Sequence, residues 1–234
     1  MASIQLEGQQ AKVGNEIAVA DPNTTSPTPN TTLYFQAVGL VRGQYFPSTE
    51  TFNKGVLLLD DGVMAPTNLL SKAAYLLQGN SELLGESQIW IVYPRTRIQN
   101  PPYLNFAARA LRLPEADEDL EAIDRNIDYF TIRGIVTYID RAADKFVVRI
   151  YRNAPKGEPS AFLELEKDEP QQILTIKGVL PESAYGQFWE LHVHRIADQL
   201  FLKQATFIAQ VFKPKKSKKP TTKQRHKKGK GKVN

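Results

Sequence analysis

The chain has 234 residues, of which 41% are hydrophobic, 9% aromatic and 24% charged, enough apolar material for one large buried core or two small ones. Cysteine is absent, which excludes disulfides, thiol catalysis and zinc sites built on thiolates. The formal net charge of +5 is segregated: residues 213–234 carry ten lysines plus Arg225 and no acid, leaving residues 1–212 with nineteen basic and twenty-five acidic side chains, a net of −6.

Met1–Gln10 lack a basic start followed by an apolar run, and no stretch approaches the roughly 18 apolar residues of a membrane helix, so a soluble cytoplasmic protein is expected. Residues 1–32 are predicted to be a disordered arm. The run Asp21–Asn30 is rich in turn formers and too poor in apolar side chains to offset its ordering entropy. Glycosylation patterns at Asn23 and Asn30 read as chance.

Residues 33–113 read as a first β-rich unit. Leu33–Gly43, Gly55–Asp60, Gln88–Tyr93 and Leu104–Leu113 are apolar or alternating runs, and Asp60-Asp61-Gly62 marks a turn into Val63–Ala65. Leu69, Leu70, Ala73, Ala74, Leu76 and Leu77 fit one face of a helix that starts after Pro66-Thr67-Asn68 and stops at Gly79-Asn80. Residues 114–127 read as a linker whose segment Pro114–Ile123 forms a short acidic helix, proline and early acids suiting a helix start.

Residues 128–212 read as a second unit, with strands at Tyr129–Asp140, Lys145–Arg152, Ala161–Glu166, Ile173–Leu180, Phe188–Ile196 and Gln199–Gln210, and turns at Arg141–Asp144 and Ala154–Pro159. The two units echo each other. Tyr34-Phe35-Gln36-Ala37-Val38-Gly39-Leu40-Val41 matches Tyr129-Phe130-Thr131-Ile132-Arg133-Gly134-Ile135-Val136 at an offset of 95, and the two tryptophans, Trp90 and Trp189, stand 99 apart in strand-like runs. Two landmarks in the same order predict a duplicated domain of 90–100 residues.

Such a unit, with a long first strand carrying a glycine (Gly39, Gly134), a hairpin, then a helix before the last two strands, resembles the oligonucleotide/oligosaccharide-binding (OB) fold. The second copy departs from that pattern: no helix separates its third and fourth strands, and Ile173–Leu180 is an extra apolar run. The expected class is therefore mainly β, two tandem small OB-like barrels with a few short helices and disordered termini. An SH3-like barrel and a β-sandwich are the rival architectures. The glycines are expected at bends of the first strand of each copy.

In the second copy, alternation puts Phe146, Val148 and Ile150 in the core and Lys145, Val147, Arg149 and Tyr151 on the other face. Cations beside an aromatic ring suit a groove for single-stranded nucleic acid, rings stacking on bases and cations following phosphates. Arg133 extends that patch. The first copy offers Arg42, Tyr45, Phe46, Tyr93, Arg95, Arg97 and Tyr103, at strand ends where OB loops meet ligand. Trp90 and Trp189 read as core. In the tail, Lys215, Lys216, Lys218, Lys219, Arg225, Lys227 and Lys228 are candidate phosphate contacts, sequence-blind and salt-sensitive. A solubilising or localising tail is the alternative.

His192, His194 and Glu190 share one strand face but lack a third histidine nearby, so no metal is expected. Neither a Walker loop, a dinucleotide fingerprint nor a nucleophile elbow occurs, and the acidic pairs lie in a turn and on a polar helix. These features predict a non-enzymatic binder of single-stranded DNA or RNA without a cofactor. The alternative is a scaffold or accessory subunit of a nucleoprotein complex whose tail docks on RNA.

Overall fold

The computed structural model describes residues 33–97, 103–113, 118–153 and 170–212. The tail lysines, Arg225, the arm and the strand expected at Ala161–Glu166 lie outside these residues.

The first five strands are β1 (Gln36–Pro47), β2 (Lys54–Leu59), β3 (Met64–Leu69), β4 (Gln88–Arg97) and β5 (Tyr103–Leu111). Antiparallel β1–β2, β2–β3, β4–β5 and β1–β4 ladders and one parallel β3–β5 ladder close them into a barrel. The next five repeat the plan: β6 (Tyr129–Asp140), β7 (Lys145–Ile150), β8 (Gln172–Lys177), β9 (Gln187–Ile196) and β10 (Gln199–Gln210), again with one parallel pair, β8–β10. Closure leaves each small barrel no free edge within its own ring. Tandem barrels are thus the architecture, and sandwich packing is not.

Period-two alternation dictates the inner faces. β3 alternates strictly exposed and buried, with Ala65, Thr67 and Leu69 inside. β7 buries Phe146, Val148 and Ile150 as expected. Trp90 and Trp189 are fully buried at equivalent places on β4 and β9, each giving its indole N–H a partner, the Gly43 carbonyl at 2.9 Å and Gln187 Oε1 at 3.1 Å. Each buried Leu or Phe of these interiors is worth roughly 1.5–3 kcal/mol of transfer free energy.

Helix α1 (Ser71–Gly79) stoppers the first barrel with Ala73, Ala74 and Leu77. It starts later than the apolar spacing suggests. Leu69 stays in the β3–β5 ladder opposite Ala108, and Leu70 donates its N–H to the Ala108 carbonyl at 2.8 Å. In the second barrel a 3₁₀ turn at Glu182–Ala184 occupies the corresponding interval. Helix α2 (Leu120–Arg125) joins the barrels, its first turn capped by the Asp119 carboxylate, which accepts from the amides of Glu121 and Ala122. No described helix is long and apolar enough to cross a membrane.

The barrels are fused. β1 pairs antiparallel with β6 from Gln36↔Arg133 to Gly39↔Phe130. The glycine at 39 is explained by this contact more directly than by a bend: a Cβ there would lie 2.3 Å from the Phe130 ring and 2.5 Å from the Tyr129 carbonyl oxygen. Gly134 is likewise fixed by crowding, a Cβ meeting the Ile150 and Val148 side chains at 2.6 Å. Ahead of β1, Phe35 reaches into the second barrel, its ring 5.1 Å from Phe188 and 5.5 Å from Tyr151. Asn153 clamps the backbone of Phe35, accepting its N–H at 2.7 Å and donating to its carbonyl at 2.9 Å.

A second tie is ionic. Arg195 on β9 is buried and donates Nε and Nη2 to both carboxylate oxygens of Asp128 at 2.7 and 2.8 Å. Its Nη1 reaches Asp61, in the β2–β3 turn of the first barrel, at 2.8 Å. Burial alone would favour a neutral Arg195, but its hydrogen bonds to both carboxylates outweigh that and push its pKa further up. Asp61 is affected in the opposite sense. Partial burial would raise it, and the bond and charge of Arg195 prevail, holding it below the ordinary aspartate value.

Candidate nucleic-acid interface

β7 and β8 are the second and third strands of their barrel. Their outer face is built by the residues that alternation leaves over, with cross-strand pairs Lys145↔Lys177, Val147↔Thr175 and Arg149↔Ile173. Arg149 is exposed and has no carboxylate partner among the described residues. Lys145 is engaged, its Nζ 3.6 Å from Asp140. Lys177 adds a cation that sequence pattern alone does not single out. Its register opposite Lys145 emerges only once β8 is placed.

Four of the residues expected from sequence need correction. Tyr151 is only 3% exposed and is not a stacking platform. β7 ends at Ile150, so alternation ceases, and the ring turns inward beneath Phe35. Tyr45 is 1% exposed, packs against Trp90 at 6.0 Å and donates its hydroxyl to the Phe52 carbonyl at 2.8 Å. Burial pushes its pKa up to about 12. Arg42 is held by Asp124 and lies 4.0 Å from Asp60, so it ties β1 to α2. Arg133 is neutralised by Glu190, 3.4 Å away, although its Nε makes no hydrogen bond.

The other first-barrel candidates remain at the surface. Phe46 is 46% exposed at the end of β1. Tyr93 is half-buried with the Arg109 guanidinium 6.0 Å over its ring, a cation–π arrangement. Tyr103 begins β5 opposite Arg97 and borders a separate hollow with Met64 and Phe106.

Arg95 and Arg97 come closest to the second barrel. β4 lies beside β8, and the Thr175 amide donates to Thr96 Oγ1 at 3.0 Å. Between the strands opens a cleft of about 400 Å³ lined by Arg95, Arg97, Asn68 and Asn105 from the first barrel and by Gln171, Gln172 and Ile173 from the second. No acidic side chain lines it among the described residues. Ile173 is the cross-strand neighbour of Arg149, so the cleft and the β7–β8 face are continuous. Sequence reasoning missed Asn105 and Gln172, whose proximity depends on how the barrels dock.

His192 and His194 lie on β9. His192 Nε2 is 3.4 Å from Glu190, and the His194 ring lies 4.4 Å from the exposed Tyr129. Burial, helped by Lys203, lowers the His194 pKa. No group of three metal-ligating side chains occurs among the described residues.

Two family models match the chain in order. Residues 37–116 match the N-terminal OB-fold domain of the PatR RNA-binding protein. Residues 132–209 match a C-terminal, cyanobacterial OB-fold-like RNA-binding domain. No curated protein matches the chain. The strand order and these matches together establish the class: the chain belongs to the OB-fold superfamily and carries two such domains in tandem. Both matching models describe domains of RNA-binding proteins, one N-terminal and one C-terminal, and the chain carries them in that order.

Proposed function

We propose that the protein is a non-enzymatic binder of single-stranded RNA. The observation that carries this reading is the match of both barrels to domains described as RNA-binding. The surface supports it. In OB folds the second and third strands form the usual oligonucleotide face, and here that face in the second barrel presents Lys145, Lys177 and Arg149 and continues to Arg95 and Arg97. The lysine-rich segment 213–234 adds phosphate attraction without sequence readout. Single-stranded DNA is a competing ligand of the same electrostatic surface.

A second reading, an accessory subunit of a nucleoprotein complex, draws on the net charge of −6 over residues 1–212, which works against RNA adhering to the barrels. Fluorescence anisotropy with a labelled single-stranded RNA separates the two. The full chain should bind with an affinity that falls steeply as salt rises. A chain ending at Phe212 should bind more weakly and with a flatter salt slope, yet still bind, and Arg149→Ala should weaken that remainder. Binding lost entirely on truncation supports the accessory-subunit reading. No binding by the full chain at low salt defeats the RNA reading.

A further inference from the structure

The cleft between the barrels contains buried polar groups that no other described residue engages. Arg95 Nε and Asn105 Nδ2 are buried donors without a hydrogen-bond partner among the described residues, and Gln172 Oε1 is a buried acceptor in the same condition. Gln172 is only 8% exposed. Buried polar atoms of folded proteins are nearly always paired, because each unpaired group forfeits its hydration. Three orphans lining one opening, beside the exposed Arg97 and with no carboxylate among the described lining residues, are what a site looks like when its ligand supplies the missing partners.

The chemistry of the orphans restricts that ligand. Arg95 and Asn105 are cross-strand partners on β4 and β5, so a guanidinium and an amide donor stand side by side on the wall formed by the first barrel. Gln172 lines the same opening from the second. The two arginines call for an anion, and guanidinium geometry matches phosphate. A phosphodiester, however, offers only acceptors and leaves Gln172 Oε1 unsatisfied. A hydroxyl both accepts and donates, so it satisfies Asn105 Nδ2 and Gln172 Oε1 together. A phosphate and a neighbouring hydroxyl on one small unit describe a ribonucleotide.

We propose that the inter-barrel cleft binds one ribonucleotide unit of a single-stranded RNA, its phosphate on Arg95 and Arg97 and its 2′-hydroxyl between Asn105 and Gln172, and that this contact selects RNA over DNA. This rests on the RNA-binding reading and adds to it the place and means of sugar discrimination. The 2′-hydroxyl is the group by which a protein distinguishes the two polymers. The site is composite: neither barrel alone holds both halves of it.

The test uses the full chain with three single strands of matched sequence: RNA, DNA and 2′-O-methyl RNA. The wild type should bind RNA at least about tenfold more tightly than DNA, since DNA leaves a buried polar pair unmatched at the cost of its desolvation. The 2′-O-methyl strand, which cannot donate to Gln172, should fall towards DNA. Asn105→Ala and Gln172→Leu should lower RNA affinity more than DNA affinity and so narrow the RNA-over-DNA ratio. Arg95→Ala and Arg97→Ala should weaken both polymers and reduce the salt slope by about 0.7 for each phosphate no longer neutralised. Melting curves accompany each variant, and Asn105→Ala, at a half-buried position, serves if Gln172→Leu fails to fold. An RNA preference unchanged by Asn105→Ala, or affinity unchanged by both arginine variants, overturns the cleft proposal while leaving RNA binding intact. A wild type that binds neither polymer overturns the reading beneath it.

Discussion

Tyr45 and Tyr151 show why an aromatic residue next to a cation need not be a ligand platform. Both rings lie in the core: Tyr45 continues the inward alternation of Val41 and Gly43 on β1, and Tyr151 follows the end of β7, where alternation ceases. Tyr151→Ala should therefore act through stability, lowering it by about 3–5 kcal/mol, the range for emptying a large aromatic site. Below its melting temperature it should leave RNA affinity unchanged, whereas Arg149→Ala should do the reverse. Thermal melts paired with anisotropy distinguish the two. Tyr45 adds a pH signature. Its folded pKa is raised from 10.0 to about 12, so the stabilisation it gives is complete below pH 10 and is lost as pH rises towards 12. Tyr45→Phe should remove that alkaline component, at a cost of about 1 kcal/mol for the hydrogen bond to Phe52. Denaturant melts from about pH 9 to 12 measure it, and an unchanged alkaline profile would contradict the assignment.

Among the elements, the β1–β6 pairing carries a strict steric requirement. Gly39 stands where a methyl group would press into the Phe130 ring and the Tyr129 carbonyl, and a carbonyl cannot rotate away as a side-chain end can. Gly39→Val should force β1 and β6 apart and destabilise the chain by several kcal/mol, in the upper range of overpacking substitutions. Removing a side chain further along the same strand, as in Val38→Ala, should be far milder, because Val38 is half-buried opposite Thr131. Amide hydrogen exchange should show the β1–β6 amides losing protection first in Gly39→Val. Protection lost uniformly through both barrels would argue against a local clash.

For the whole molecule, Arg195 adds an ionic tie that helps hold the two barrels in their relative position. Its removal strands Asp128, which already holds a left-handed φ of 66°, and releases Asp61. Breaking such a buried pair by deleting one partner typically costs about 3–5 kcal/mol. The same tie predicts acid sensitivity. Because Asp61 is depressed below its ordinary 3.8, its contribution is fully present above that pH and disappears as pH falls through the lower folded value. Small-angle scattering or a fluorophore pair across the barrels should report loosening in acid, and Asp61→Asn should bring that loosened state to neutral pH. An arrangement indifferent to both would deny Arg195 this role.

The amino-acid sequence by itself determined the doubling, the inner face of β7 and most of the described strands, although β3 runs on to Leu69 where a helix face was expected. Period-two alternation, turn residues and the repeated Tyr-Phe and Trp landmarks are local signals, and hydrophobic burial acts on them one strand at a time. Arg95, Arg97 and Arg149 were legible as surface cations for the same reason. Tertiary structure alone decided which aromatic rings survive at the surface, because Tyr151 is covered by Phe35 from the other end of the chain. It also decided which arginines are free, since Arg42 and Arg133 meet Asp124 and Glu190 across long sequence separations. The cleft between β4 and β8 has the same origin. Its walls come from segments nearly eighty residues apart, and proximity at that range is set by how two closed barrels pack, which no local pattern encodes.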